Sequence, residues 1–154
     1  MKTPIATALV ALALISSAGA ARAEQYGTAT EAKFMLERAV ALLAAGKVTA
    51  LEEFNDEKDR RFHDRDLYVM CMNTSDARFT AHSNPSMIGT DARKVTIDGD
   101  PLGQRIYDAV KEESEGSVAT VDYMLPKPGT SEPISNRSLV MRSGDQGCAV
   151  AYYK

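Results

Sequence analysis

Four side chains in the second half of the chain could grip a small polar molecule: His82, Arg93, Tyr123 and Lys127. His82 closes the segment Arg78-Phe79-Thr80-Ala81-His82. An imidazole there could donate to a carboxylate, and its charge would respond to mild acid. Arg93 could hold a carboxylate through two parallel N–H bonds. Tyr123 could donate its phenol to an anion while its ring closes a pocket. Lys127, held between Pro126 and Pro128, could neutralise an acid. Each has a plainer alternative: a loop histidine bonded to backbone, a surface arginine, a core tyrosine, a solvated lysine. Tyr68 carries the same ambiguity as Tyr123, whereas Tyr107 sits among Leu102, Ile106 and Val110 and reads as core.

Reactive chemistry has little support. His63 and His82 are the two histidines and lack the close spacing of metal ligands. Asp98-Gly99-Asp100 has its glycine too early for a calcium loop, and no bidentate glutamate follows at the required place. Asp100 before Pro101 fits a helix start instead. No glycine-rich phosphate loop lies between a strand and a helix, and no nucleophile elbow is present. Cys71 has apolar neighbours, which leave a thiol inert. The chain is therefore read as one that uses no cofactor and catalyses no reaction. Lys plus Arg number 18 against 21 Asp plus Glu, with no basic cluster of the kind that binds nucleic acid.

The first residues read as an export signal. Met1-Lys2 supplies a positive start, residues 5–15 are almost all apolar, and Ala21-Arg22-Ala23 fits the small-x-small cleavage pattern. Cleavage is expected after Ala23, with Ala18-Gly19-Ala20 as a second site. The apolar run is short beside the about 20 residues of a membrane span. Loss of Lys2 and Arg22 takes the net charge from −3 to about −5. The mature part, residues 24–154, is expected to be periplasmic or secreted and to form one domain. Its two cysteines, Cys71 and Cys148, then suit a disulfide. Two buried thiols in strand interiors are the alternative. A bond requires the two carrying strands to be neighbours, with Cα atoms within about 7 Å.

The elements that must position these groups follow from periodicity. Thr28-Ala29-Thr30-Glu31 is a capping box opening a helix over 29–45 with Met35, Leu36, Ala39, Val40, Leu42 and Leu43 on one face. Gly46 stops it, and a shorter helix covers 47–55. Residues 56–66 are mixed in charge and read as a solvated connection. Strands are expected over 67–72, 78–82, 117–125, 135–142 and 148–153, with a helix from Leu102 to about Glu113 ended by Gly116. Residues 83–96 and 126–133 are the long loops. The fold class is α+β, a five-stranded antiparallel sheet with N-terminal helices packed on one face.

Several stretches resemble single Cache domains. They are Ala50-Leu51-Glu52-Glu53-Phe54-Asn55 followed by Phe62-His63-Asp64-Arg65-Asp66-Leu67-Tyr68-Val69, then Ala81-His82-Ser83-Asn84-Pro85 with Ile88-Gly89. Asp98-Gly99 with Gly103, the run Val121-Asp122-Tyr123-Met124-Leu125-Pro126-Lys127-Pro128-Gly129 and the closing Cys148-Ala149-Val150-Ala151-Tyr152-Tyr153-Lys154 continue the series. The match covers most of the mature chain. It departs where Asn136-Arg137 replaces a lysine common at the fourth strand, and where Ala151 replaces a common glycine. The resemblance implies a PAS-like sheet behind a long N-terminal helix, with first and fifth strands adjacent and Cys71 therefore beside Cys148. It implies a sensory domain for a small organic molecule, such as a short carboxylate, held between sheet and loops. Residues 83–96 and 126–133 would close over it. The chain shows no second membrane helix and no output domain, which resembles free-standing members. A membrane sensor or transporter would be the partner, and the helix over 29–45 a surface for homodimer formation. The alternative is a structural or interaction subunit of a periplasmic complex with no small ligand.

Overall fold

The computed structural model describes residues 25–154. The expected signal peptide and its cleavage site lie outside them. Helix α1 (Ala29–Ala45) opens on the capping box. The Thr28 hydroxyl accepts the Glu31 N–H at 3.2 Å, and the Glu31 carboxylate accepts the Thr28 N–H at 2.7 Å. Ala32, Met35, Leu36, Ala39 and Leu43 recur every three or four residues and form its buried stripe. Helix α2 (Lys47–Phe54) buries Ala50 and Phe54 and is capped by Asn55.

The charged segment 56–66 is more structured than its composition suggests. Phe62 is fully buried and meets Phe54 edge to face, with ring centroids 4.7 Å apart. β1 (His63–Asp64) and β2 (Leu67–Tyr68) form a small hairpin across Arg65-Asp66. Arg65 adopts φ 57°, a left-handed conformation that costs energy for a residue with a side chain. Its guanidinium offsets that cost by binding Asp64 at 2.8 Å, Glu31 at 2.6 Å and the Tyr26 carbonyl at 3.0 Å. The strand expected over 67–72 is interrupted at Val69, so the main sheet begins at β3 (Met70–Asn73).

The sheet contains β3, β4 (Phe79–Ala81), β5 (Val118–Pro126), β6 (Pro133–Ser143) and β7 (Gln146–Tyr153), in the order β4-β3-β7-β6-β5. All pairs are antiparallel. Cys71 lies directly opposite Cys148, and the two are disulfide-bonded. The loop expected over 126–133 is shorter, because Pro126 still pairs with Pro133.

Alternation along the strands makes a core on each face. Val69, Cys71, Leu139, Met141, Cys148 and Val150 pack under α1 and α2. Met72, Phe79, Val121, Val140 and Ala149 pack under helix α3 (Leu102–Glu112) and the connection before it. That connection folds into two single-turn 3₁₀ helices, Pro85–Met87 and Ala92–Lys94. Asp98-Gly99 is a two-residue turn with both φ positive, closing an Ile97–Asp100 bridge. The bridge changes the role expected of Asp100. Pro101 takes the N-cap position of α3, and the Asp100 carboxylate pairs with Arg105 at 2.6 Å.

Two glycines let α3 sit close. A Cβ at Gly103 would run into the Ala92 carbonyl oxygen, and one at Gly147 would run into the Val110 side chain. The disulfide closes a sequence separation of 77 residues. Replacing both cysteines by alanine should lower the unfolding free energy by about 2–5 kcal/mol. Urea unfolding checks this, and wild-type protein in dithiothreitol should show a loss of the same order.

Candidate ligand-binding site

Between the sheet and α3 lies a cavity of about 110 Å³. Met70, Met72 and Phe79 supply its floor, Val95 comes from the connection, and Leu102, Gly103 and Ile106 come from α3. Four polar side chains reach it: Tyr68, His82, Tyr123 and Ser138.

Ser138 sits on β6, where period-2 alternation turns it to the same face as Val140. It is fully buried, and among the described residues its hydroxyl has no well-aligned hydrogen-bond partner, although it lies close enough to the Tyr123 phenol to act on it. An unpaired buried hydroxyl costs about 1–3 kcal/mol. Tyr123, on the neighbouring β5, is held as the neutral phenol. Burial is the main cause that pushes its pKa up to about 12, which the nearby Ser138 hydroxyl eases only in part. Burial likewise raises Tyr68, against a smaller opposite pull from the Ser83 hydroxyl.

His82 is packed between aromatic rings, 5.4 Å from Tyr68 and 5.1 Å from Phe79. Burial pushes its pKa below the ordinary value of 6.5. Its Nδ1 accepts the Asn84 N–H at 2.9 Å, so in the neutral ring the proton is on Nε2. Nε2 makes no hydrogen bond among the described residues. The His82 backbone is also fixed: its N–H donates to Asn55 Oδ1 at 3.2 Å, while Asn55 Nδ2 donates to the Thr80 carbonyl at 2.9 Å. The end of α2 thus clamps the edge strand beside the cavity.

Of the four residues singled out in the sequence, the structure brings His82 and Tyr123 into one cavity. Arg93 and Lys127 stand elsewhere. Arg93 forks onto Asp91, with both bonds at 2.8 Å, and lies over the Tyr107 ring. Lys127 Nζ rests 4.4 Å from the Tyr26 ring centroid and 5.4 Å from that of Tyr153. Sequence reasoning missed Ser138. The available signal was its even spacing from Val140, which marks it as facing the same side of the sheet.

A second, smaller cavity of about 100 Å³ lies on the other side of Tyr68 and Tyr123. Both tyrosines line the two spaces and so form a shared wall.

No family model matches the sequence, and no curated protein matches it. Solved structures do. A periplasmic sensor domain of a chemotaxis protein shares 23% identity at a TM-score of 0.55, over 80% of this chain and 88% of its own. A Cache chemosensory domain described for carboxylic acid recognition shares 23% identity at 0.53, over 80% and 86%. A methyl-accepting chemotaxis protein from Vibrio parahaemolyticus shares 14% identity at 0.59, again over 80% and 86%. The chain has the α+β, PAS-like fold of these Cache-type sensor domains.

The lowered pKa of His82 makes stability depend on pH. The unfolded chain binds that proton more tightly than the folded one, so the contribution is intact above pH 6.5 and lost as pH falls below that value through the lower pKa of the folded state. His82→Gln should flatten the loss of stability between about pH 7.5 and about pH 5 relative to wild type. Urea unfolding of both proteins across that range checks it.

Proposed function

We propose that the chain is an extracytoplasmic sensory domain that binds a small carboxylate under α3, acts in signal transduction and catalyses no reaction. The observation that carries this is the buried Ser138 hydroxyl, without a well-aligned partner among the described residues, in a cavity shared with Tyr68, His82 and Tyr123. An apolar side chain would fill the same position without the cost of an unmet hydroxyl. A carboxylate offers only acceptors, and the cavity offers three hydroxyls and the His82 Nε2–H as donors. Its size suits about four water-sized groups of about 30 Å³ each, the scale of acetate or propionate.

Among the described residues, no lysine or arginine lines the cavity. The ligand's charge is therefore balanced by protonation of His82. Free His82 is held neutral by burial; a bound carboxylate raises its pKa and draws a proton onto Nδ1, which gives up the bond that Nδ1 accepts from the Asn84 N–H. Arg93 and Lys127 are assigned work outside this cavity, Arg93 in bracing the connection through Asp91. The described carboxylic acid recognition of one structural neighbour supports the ligand class.

The signal peptide would deliver the protein to the periplasm, where a membrane sensor or transporter is the partner. The partner-facing surface, which would also serve a homodimer, would lie on α1; the 59% exposure of Phe34 supports this. That exposure, with Val48 at 70%, also favours a second reading as an interaction subunit without a ligand.

Calorimetry with propionate at two pH values tests both. Binding should tighten as pH falls toward the pKa of free His82, with proton uptake visible as a buffer-dependent heat. Ser138→Ala and Tyr123→Phe should each weaken binding about tenfold or more, the worth of one hydrogen bond to a charged group. Folded protein that gives no heat with any short carboxylate would leave the interaction reading in its place.

A further inference from the structure

The second cavity has the opposite polarity to the first. Its charged lining group is the Asp66 carboxylate, and no lysine or arginine among the described residues lines it. Asp66 Oδ1 accepts the Gly27 N–H at 2.6 Å, and Oδ2 has no partner among the described residues. Asn136 is 3% exposed, and its Nδ2 donates to the Leu125 and Ile134 carbonyls at 3.2 and 3.0 Å. Those two bonds orient the amide, so Oδ1 is the group left over, an acceptor on the wall of the cavity. Tyr68, Tyr123 and Tyr153 line the wall together with Leu125 and Ala151.

We infer that this cavity is a site for a small organic ammonium group. One carboxylate oxygen and one amide oxygen stand free to accept its N–H bonds, and tyrosine faces attract a cation electrostatically. One such face is already used in this way. Lys127 Nζ lies over the rings of Tyr26 and Tyr153 at the edge of the cavity without forming an ion pair to Asp66. A bare calcium ion suits the site less well, because it takes six to eight oxygens and this wall supplies one carboxylate. The site stands independently of the carboxylate cavity, although both share the wall of Tyr68 and Tyr123. A compound carrying a carboxylate and an ammonium a few bonds apart could engage both sides of that wall.

Calorimetric titration of the exported protein with ethylammonium chloride, against potassium chloride as the ionic control, tests the site. Ethylammonium should bind, and Asp66→Asn should weaken it at least about tenfold, as expected for a hydrogen bond to a charged group. Asparagine keeps an oxygen for the Gly27 N–H, and an unchanged melting temperature confirms that the fold is kept. Lys127→Met should tighten binding, since it removes a like charge and frees the Tyr153 face. Absence of ethylammonium binding while propionate still binds, or equal affinity in wild type and Asp66→Asn, overturns the ammonium site and leaves the carboxylate reading standing. Ethylammonium binding without any carboxylate binding does the reverse.

Discussion

The register between β3 and β7 is the constraint on which the rest depends. These strands are far apart in sequence, and the sheet has its order only because they pair. In a pleated strand a slip of one residue exchanges the two faces. Here Cys71 faces Cys148, and the covalent bond between them forbids that slip. Met70 and Ala149, one step along, are thereby committed to the α3 face, while Val69 and Val150 go to the α1 face. The next strand, β6, inherits the same phase, which sends Ser138 into the cavity and Leu139 into the helical core.

The two faces are put to different uses. Under α1 and α2 the core is closed and apolar. Under α3 the packing is held open by unlike parts: a helix drawn close by Gly103 and Gly147, and a connection of two short 3₁₀ turns. Where these meet the sheet, large rings and methionines leave space instead of interdigitating. Tyr68 and Tyr123 divide that space. On one side are hydroxyls and an imidazole N–H; on the other are a carboxylate and an amide oxygen. Phenols suit such a partition, because each can donate to one neighbour or accept from another.

Helical structure was the most legible part of the sequence. The capping box at Thr28 and Glu31 and the stripe from Met35 to Leu43 are local signals, and α1 has the limits they imply. Strand existence was also legible, but strand order was not, since pairing between distant segments leaves no local trace; it rested on family resemblance. The failures have physical causes. Charges in 56–66 hid the buried Phe62 and a hairpin whose turn residue is an arginine held by three partners. Asp100 looked like a cap until a turn at Asp98-Gly99 engaged its backbone. In the site, attention to charge selected Arg93 and Lys127, whose charges are engaged by Asp91 and by two tyrosine rings. Ser138 carries no charge and is ordinary in a strand. Only the burial around it makes its hydroxyl informative.

Asn55 ties the two uses of the sheet together. Edge strands expose unpaired backbone groups and must be covered. β4 is such an edge, and Asn55 covers part of it by presenting its amide as a short length of strand would, accepting from His82 and donating to Thr80. His63 adds a second fastening at the same corner, with Nε2 2.6 Å from the Phe54 carbonyl. The contact that protects the edge is therefore also the contact that sets where the His82 ring begins. Any change in the backbone at His82 must lengthen its bond to Asn55 or move the end of α2 with it. Since α2 packs against α1 through the shared core of Leu36, Leu43, Ala50 and Phe54, the helical layer meets the cavity at one short, directional joint as well as across the sheet.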